Sequence, residues 1–199
     1  MNVYTLNGIK DSASTTTDRL GGALSRIGYD WKPLRYRTAH SWTARRRRNR
    51  EQIAASLLNQ IDRGGVLVAH SFGCLLGWEM LNLHSQRRSL AMRRLFSNVF
   101  FLAPAMDRGG WDWRCLNFGR LHCVHNPHDI AILLGSITPW HPFGAAGRSG
   151  FNTNDPRISN QTAPSRRGFW NHSDPFFSGD RAKFWASEID WLLQAEDSG

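Results

Sequence analysis

Apolar residues in this chain fall into short continuous runs that alternate with longer stretches of helical spacing. Val3–Leu6 is the first run and ends at the turn pair Asn7-Gly8. The polar stretch Asp11–Thr17 follows, with Thr17 or Asp18 as cap, and the spacing predicts a helix to Ile27, stopped by Gly28. Leu34 and Tyr36 alternate with Arg35 and Arg37, which predicts a strand over Pro33–Arg37. Trp42–Ile61 reads as a long amphipathic helix, because Ile53, Leu57 and Ile61 share a face with Ala54 and Leu58.

Gly64-Gly65 turns the chain into Val66–Ala69, which is too short for a helix and has the β-branched content of a buried parallel strand. A helix is predicted after Ser71, reaching about His84. The basic connector Gln86–Arg94 leads to a strand over Asn98–Ala103, halted by Pro104. Ala105–Asn117 is irregular, and Phe118–His125 is the next strand. Asn126-Pro127 then opens a short helix over Asp129–Leu134. Gly135–Pro156, rich in Gly, Pro, Ser and Asn, is the longest loop; Arg157–Thr162 is a last short strand. Phe184, Ile189, Trp191, Leu192 and Leu193 mark a C-terminal helix capped by Ser178 or Asp180. This alternation predicts an α/β fold: a mostly parallel sheet of about six strands, with helices on both faces in a three-layer sandwich. No linker or repeat divides residues 1–199, so a single domain is expected.

Within this pattern the stretch Val66–Met80 carries the chemistry. A strand leads straight into His70-Ser71-Phe72-Gly73 and then a helix, so the chain must reverse sharply at Ser71. A serine hydroxyl is a poor nucleophile until a base takes its proton and donors stabilise the oxyanion. At a tight strand-to-helix turn its neighbours at minus two and plus two must be small. Gly73 meets that need, and Ala69 departs from glycine by one methyl group. The Phe72 N–H falls in the first helical turn, where unpaired donors favour negative charge.

Composition narrows the setting. Hydrophobic content of 41% and charged content of 21% are those of a globular chain. No run has the length of a membrane span, and the N-terminus is no signal peptide, so a cytoplasmic location is expected, with delivery in a phage particle as the other route. The three cysteines, Cys74, Cys115 and Cys123, have no framework spacing, which implies a reduced compartment. The net charge of +9 comes from 22 arginines against three lysines. Arg45–Arg48 and Arg50 read as the solvated face of a helix rather than a nucleic-acid patch, since no aromatic platform is interleaved with them.

A nucleophile elbow requires a base and an acid, and in open parallel sheets these lie beyond the carboxyl ends of the strands. Asp129, in HNPHDIA, follows the Phe118–His125 strand; His172, in GFWNHSDPFF, precedes the final helix. Asp107 and Asp112 are rivals for the acid, and His125, His128 and His141 for the base. His70 cannot reach its neighbour's oxygen in base geometry and is expected to pack beside the elbow. His122, Cys123, His125, His128 and Asp129 include zinc-ligand types, but His122 and Cys123 point to opposite faces of a strand, so no metal or other cofactor is expected.

The order Ser71, Asp129, His172 resembles that of an α/β-hydrolase of minimal size, across essentially the whole chain. The elbow Ala69-His70-Ser71-Phe72-Gly73 is similar to that of small lidless bacterial lipases. The resemblance implies a serine hydrolase acting on carboxylic esters: Ser71 attacks, His172 shuttles the proton, Asp129 orients the imidazole, and an acyl-enzyme forms. It implies an oxyanion hole from the Phe72 N–H and a second donor, Gly8 or Ile9, in the loop after the first strand. Asn7-Gly8 stands there in place of the HG pair common in the family. Trp111, Trp140, Phe143 and Trp170 are candidate pocket residues, with packing between loops as their other role. The expected partner is a small-molecule or polymer-linked ester rather than nucleic acid. A thioesterase or amidase with the same triad, or a non-catalytic binding protein on this fold, are the alternatives.

Overall fold

The protein is described by a computed structural model over residues 1–8, 16–36, 46–61, 64–86, 93–137, 144–164 and 172–197. The strands are β1 (Asn2–Leu6), β2 (Asp30–Leu34), β3 (Gly65–His70), β4 (Phe96–Leu102), β5 (Phe118–His125) and β6 (Ile158–Thr162). They form one six-stranded sheet in the order β2-β1-β3-β4-β5-β6, with every neighbouring pair parallel. The helices are α1 (Thr16–Arg26), α2 (Arg47–Leu58), α3 (Phe72–Gln86), α4 (Ile130–Ile137), α5 (Ala146–Ser149), α6 (Asp174–Phe177) and α7 (Arg181–Asp197).

Side-chain alternation along the strands divides the core in two. Leu67 and Ala69 of β3 join Tyr4, Leu6, Val99 and Phe101 on one face, under Ala54 and Leu57 of α2 and Leu76 and Met80 of α3. Val66 and Val68 join Val3, Phe100 and Leu102 on the other, under Leu20 and Leu24 of α1 and Trp185, Ile189 and Leu193 of α7. Both faces of β3 are therefore covered, which is why its sequence is an unbroken apolar run rather than an alternating one. Each large aliphatic side chain buried this way contributes on the order of 1.5–3 kcal/mol. No helix among the described residues is long and apolar enough to cross a membrane.

Several boundaries differ from those the sequence predicts. The second strand runs from Asp30 to Leu34, not from Pro33 to Arg37. It is an edge strand paired only with β1, so Pro33 opposite Thr5 costs no ladder bond on the open side. Beyond Leu34, the Gln60 side chain takes over the backbone of Arg35: its Oε1 accepts from Arg35 N at 3.4 Å and its Nε2 donates to Arg35 O at 3.2 Å. The predicted helix over Trp42–Ile61 is observed as Arg47–Leu58, closed by Asn59. Residues 42–45 lie outside the described residues. Two short helices, α5 in the predicted long loop and α6 ahead of α7, have no apolar periodicity long enough to show in the sequence.

The arginine run is partly internal. Arg50 Nε donates to Glu79 Oε1 at 3.1 Å, joining α2 to α3, and that carboxylate is 3% exposed. Arg47 instead pairs along its own helix with Glu51 at 2.8 Å in solvent.

Candidate active site

The turn between β3 and α3 puts Ser71 at φ +57°, a left-handed conformation that a side-chain-bearing residue holds only when its surroundings fix it. Three backbone bonds supply that constraint. Ser71 N donates to Leu102 O at 3.0 Å, while Ser71 O accepts from Cys74 N at 3.1 Å and Ala105 N at 3.2 Å. Ser71 is partly exposed at the carboxyl end of the central strands.

The small residues of the elbow have distinct reasons. A Cβ on Gly73 would lie 2.5 Å from Asn7 O and 2.6 Å from Leu6 O, so the end of β1 presses on the first turn of α3. Ala69 is fully buried and its carbonyl accepts from Cys74 Sγ at 3.3 Å. A Cβ on Gly8 would lie 3.1 Å from Ser71 Cβ and 3.3 Å from Ser71 Oγ, so the loop after β1 stands directly beside the hydroxyl. Phe72 opens α3, and its N–H has no helical carbonyl behind it.

Asp129 reaches the site from a rigid turn. Asn126 Oδ1 accepts from His128 N at 3.1 Å, Asn126 O from Asp129 N at 3.0 Å, and Arg148 of α5 holds Pro127 O through Nε and Nη2. The carboxylate is fully buried and its oxygens are divided: Oδ1 accepts from Ile132 N at 2.9 Å, capping α4, and Oδ2 lies 2.5 Å from His172 Nδ1. The rival acids are elsewhere. Asp107 and Asp112 are both exposed, and Asp112 accepts from Cys115 Sγ at 3.0 Å.

His172 lies just before α6, its side chain 19% exposed. His70, the last residue of β3, packs beneath it, with ring centroids 4.7 Å apart and Nε2 3.4 Å from His172 O. Phe177 meets the His70 ring edge-on at 5.0 Å. Burial first, and then the adjacent imidazole of His172, hold His70 well below the ordinary histidine range, so it stays neutral. It packs beside the elbow and is not placed to act as a base.

The other histidines are engaged elsewhere. His122 stacks on Phe100 at 4.7 Å and meets Ser159 Oγ through Nδ1 at 3.1 Å, while Cys123 packs into the opposite core. His125 Nε2 meets Thr162 Oγ1 at 3.2 Å, and His128 is exposed. Among the described residues no three His, Cys, Asp or Glu are grouped to hold a metal ion. Trp111 packs on Trp78 of α3 at 4.7 Å and donates from Nε1 to Asp107 O, which ties loop to helix. Ile9, Trp140, His141, Phe143 and Trp170 lie outside the described residues.

One residue at the site gave no signal in the sequence. Tyr36, read as a strand position, instead turns its hydroxyl onto the loop beside Ser71, 2.5 Å from Gly8 O and 3.1 Å from Asn7 O.

No protein-family model matches the chain, and no curated protein matches it by sequence. Solved structures do match in three dimensions. Alpha/beta hydrolase domain-containing protein 10 from mouse aligns with a TM-score of 0.61 and 13% identity, over 98% of this chain and 90% of that one. A protein of unknown function from Agrobacterium tumefaciens, described as a candidate alpha/beta hydrolase, aligns with a TM-score of 0.54 and 14% identity, over 99% of this chain and 86% of its own. Lipase B from Aspergillus fumigatus aligns with a TM-score of 0.52 and 12% identity, covering 92% of this chain but 50% of the lipase. With its parallel sheet, helices on both faces and a serine at the strained turn after β3, the chain has the α/β-hydrolase fold.

Proposed function

We propose that this protein is a serine hydrolase that cleaves carboxylic esters through Ser71, His172 and Asp129. The observation that carries this reading is the 2.5 Å contact between His172 Nδ1 and the buried Asp129 Oδ2, two groups 43 residues apart in the chain. A carboxylate at Nδ1 fixes the tautomer and leaves Nε2 as the nitrogen that accepts the Ser71 proton. Ser71 Oγ then adds to the ester carbonyl, and the tetrahedral oxyanion is met by the Phe72 N–H and a donor from the loop at Gly8. His172 returns the proton to the departing alkoxide, and water, deprotonated by the same imidazole, releases the acid from the acyl-serine. Neutral His70 beneath the ring adds no positive charge to oppose the imidazolium that forms.

Labelling with a fluorophosphonate tests the reading. The wild type should gain one phosphonyl group, mapped to Ser71 by mass spectrometry, while Ser71→Ala and His172→Ala, folded by circular dichroism, should gain none. Absence of any adduct in folded wild type would sink the proposal. Rates on p-nitrophenyl esters, acyl thioesters and anilides then decide among ester, thioester and amide, and esters are expected to be fastest.

A further inference from the structure

We propose that Tyr36 is a positioning residue for the oxyanion hole, holding the loop after β1 in the shape that presents the Gly8 N–H to the carbonyl oxygen of the substrate. The inference rests on the serine-hydrolase reading above and concerns a residue outside its triad. Tyr36 lies just past β2, 8% exposed, packed in the core formed by Leu6, Leu34 and Leu57. Its hydroxyl lies 2.5 Å from Gly8 O and 3.1 Å from Asn7 O, so two successive carbonyls converge on one phenol. The peptide bonds here are trans, with N–H and C=O on opposite sides of each unit. Turning the Asn7 carbonyl toward Tyr36 therefore turns the Gly8 N–H away from it.

The loop is gripped from two other directions. Gly73 admits Asn7 O and Leu6 O against the first turn of α3, and Gly8 abuts Ser71. Side-chain bulk on this loop is thus excluded on the Ser71 side, while the Tyr36 hydroxyl bonds to both the Asn7 and the Gly8 carbonyl. A hydroxyl donated to the backbone suits this role because it fixes carbonyl direction without adding a charge that would compete with the oxyanion.

Tyr36→Phe keeps the ring and removes the donor. The expected result is a loss in kcat of about 10- to 100-fold with KM within about threefold, and a matching loss in affinity for an alkyl boronic acid, whose tetrahedral adduct mimics the oxyanion. Trp31→Phe is the control. It removes another side-chain bond between the same two strands, Trp31 Nε1 to Thr5 Oγ1 at 2.9 Å, and should leave kcat and boronate affinity unchanged. A Tyr36→Phe protein with wild-type kcat and boronate affinity would overturn the proposal. A second measurement needs no variant. In wild type labelled with 13C at tyrosine Cζ, boronate binding should shift the Tyr36 resonance and leave that of Tyr29, bonded to Asp190, in place. An unmoved Tyr36 signal in the boronate complex would equally overturn it. If the wild type forms no adduct with boronate or fluorophosphonate, the hydrolase reading fails and this role with it; normal wild-type labelling beside an unaffected Tyr36→Phe removes this role alone.

Discussion

At Asp129 the helix cap and the proposed orienting contact use separate oxygens, Oδ1 on Ile132 N and Oδ2 on His172 Nδ1. The sequence offers the helix cap and the triad acid as competing explanations of this residue, and a carboxylate with two oxygens leaves room for the cap and for the proposed triad role together. Asp129→Asn separates them. The amide oxygen can still cap α4, so thermal unfolding should stay close to wild type, whereas loss of the charge at Nδ1 leaves the imidazole in the wrong tautomer. Ester turnover should fall about 10⁴-fold, read as single-turnover acylation. Asp129→Ala should add a loss of about 1 kcal/mol from the missing cap. Wild-type acylation in Asp129→Asn would remove this residue from the triad and return Asp107 and Asp112 to consideration.

Between elements, the ion pair of Arg50 with Glu79 is the contact that gives the arginine-rich helix a role in the fold. Arg50→Ala would leave a carboxylate 3% exposed without this partner, and is expected to cost about 2 kcal/mol in urea unfolding. Arg47→Ala, on an exposed pair, should produce no measurable change. If the two variants unfold alike, the bridge between α2 and α3 contributes nothing. The same contrast explains which elements were legible. β3 and the start of α3 are buried, so their apolar runs state their extent directly. β2 and α2 end where individual polar contacts stop them, Gln60 on the Arg35 backbone and the Asn59 cap, and such contacts leave no periodic trace. The strand reading of Tyr36 failed for the same reason, since its alternation with Arg35 mimicked a strand while its hydroxyl was bound to another loop. Chain order pointed to Asp129 after β5 and His172 after β6, and the structure puts these two side chains in contact, but no pattern of spacing could reveal a phenol arriving from the neighbouring strand's exit.

For the molecule as a whole, the buried neutral His70 makes global stability depend on pH. Its folded-state pKa is depressed, so below the unfolded value of about 6.5 the unfolded chain binds a proton that the native state refuses. Stability from this group is complete above that value and declines as pH falls, by up to about 1.4 kcal/mol per pH unit. His125, lowered by partial burial and then by Arg108, acts in the same direction. Urea unfolding between pH 7 and pH 5 should therefore show a slope that His70→Phe reduces, since a phenyl ring can pack on Phe176 and Phe177 without titrating. An unchanged slope in that variant would assign the dependence to other groups.

The second core has a further consequence, for synthesis. Val3, Leu20, Val66 and Val68 emerge from the ribosome early, yet their cover of Trp185, Ile189 and Leu193 on α7 is translated only after every strand is complete. Until then this face of the sheet is shielded only in part, by Leu20 and Leu24 of α1, and the rest is an adhesive surface open to chaperones and to other nascent chains. Docking of α7 is thus the step that completes this second core.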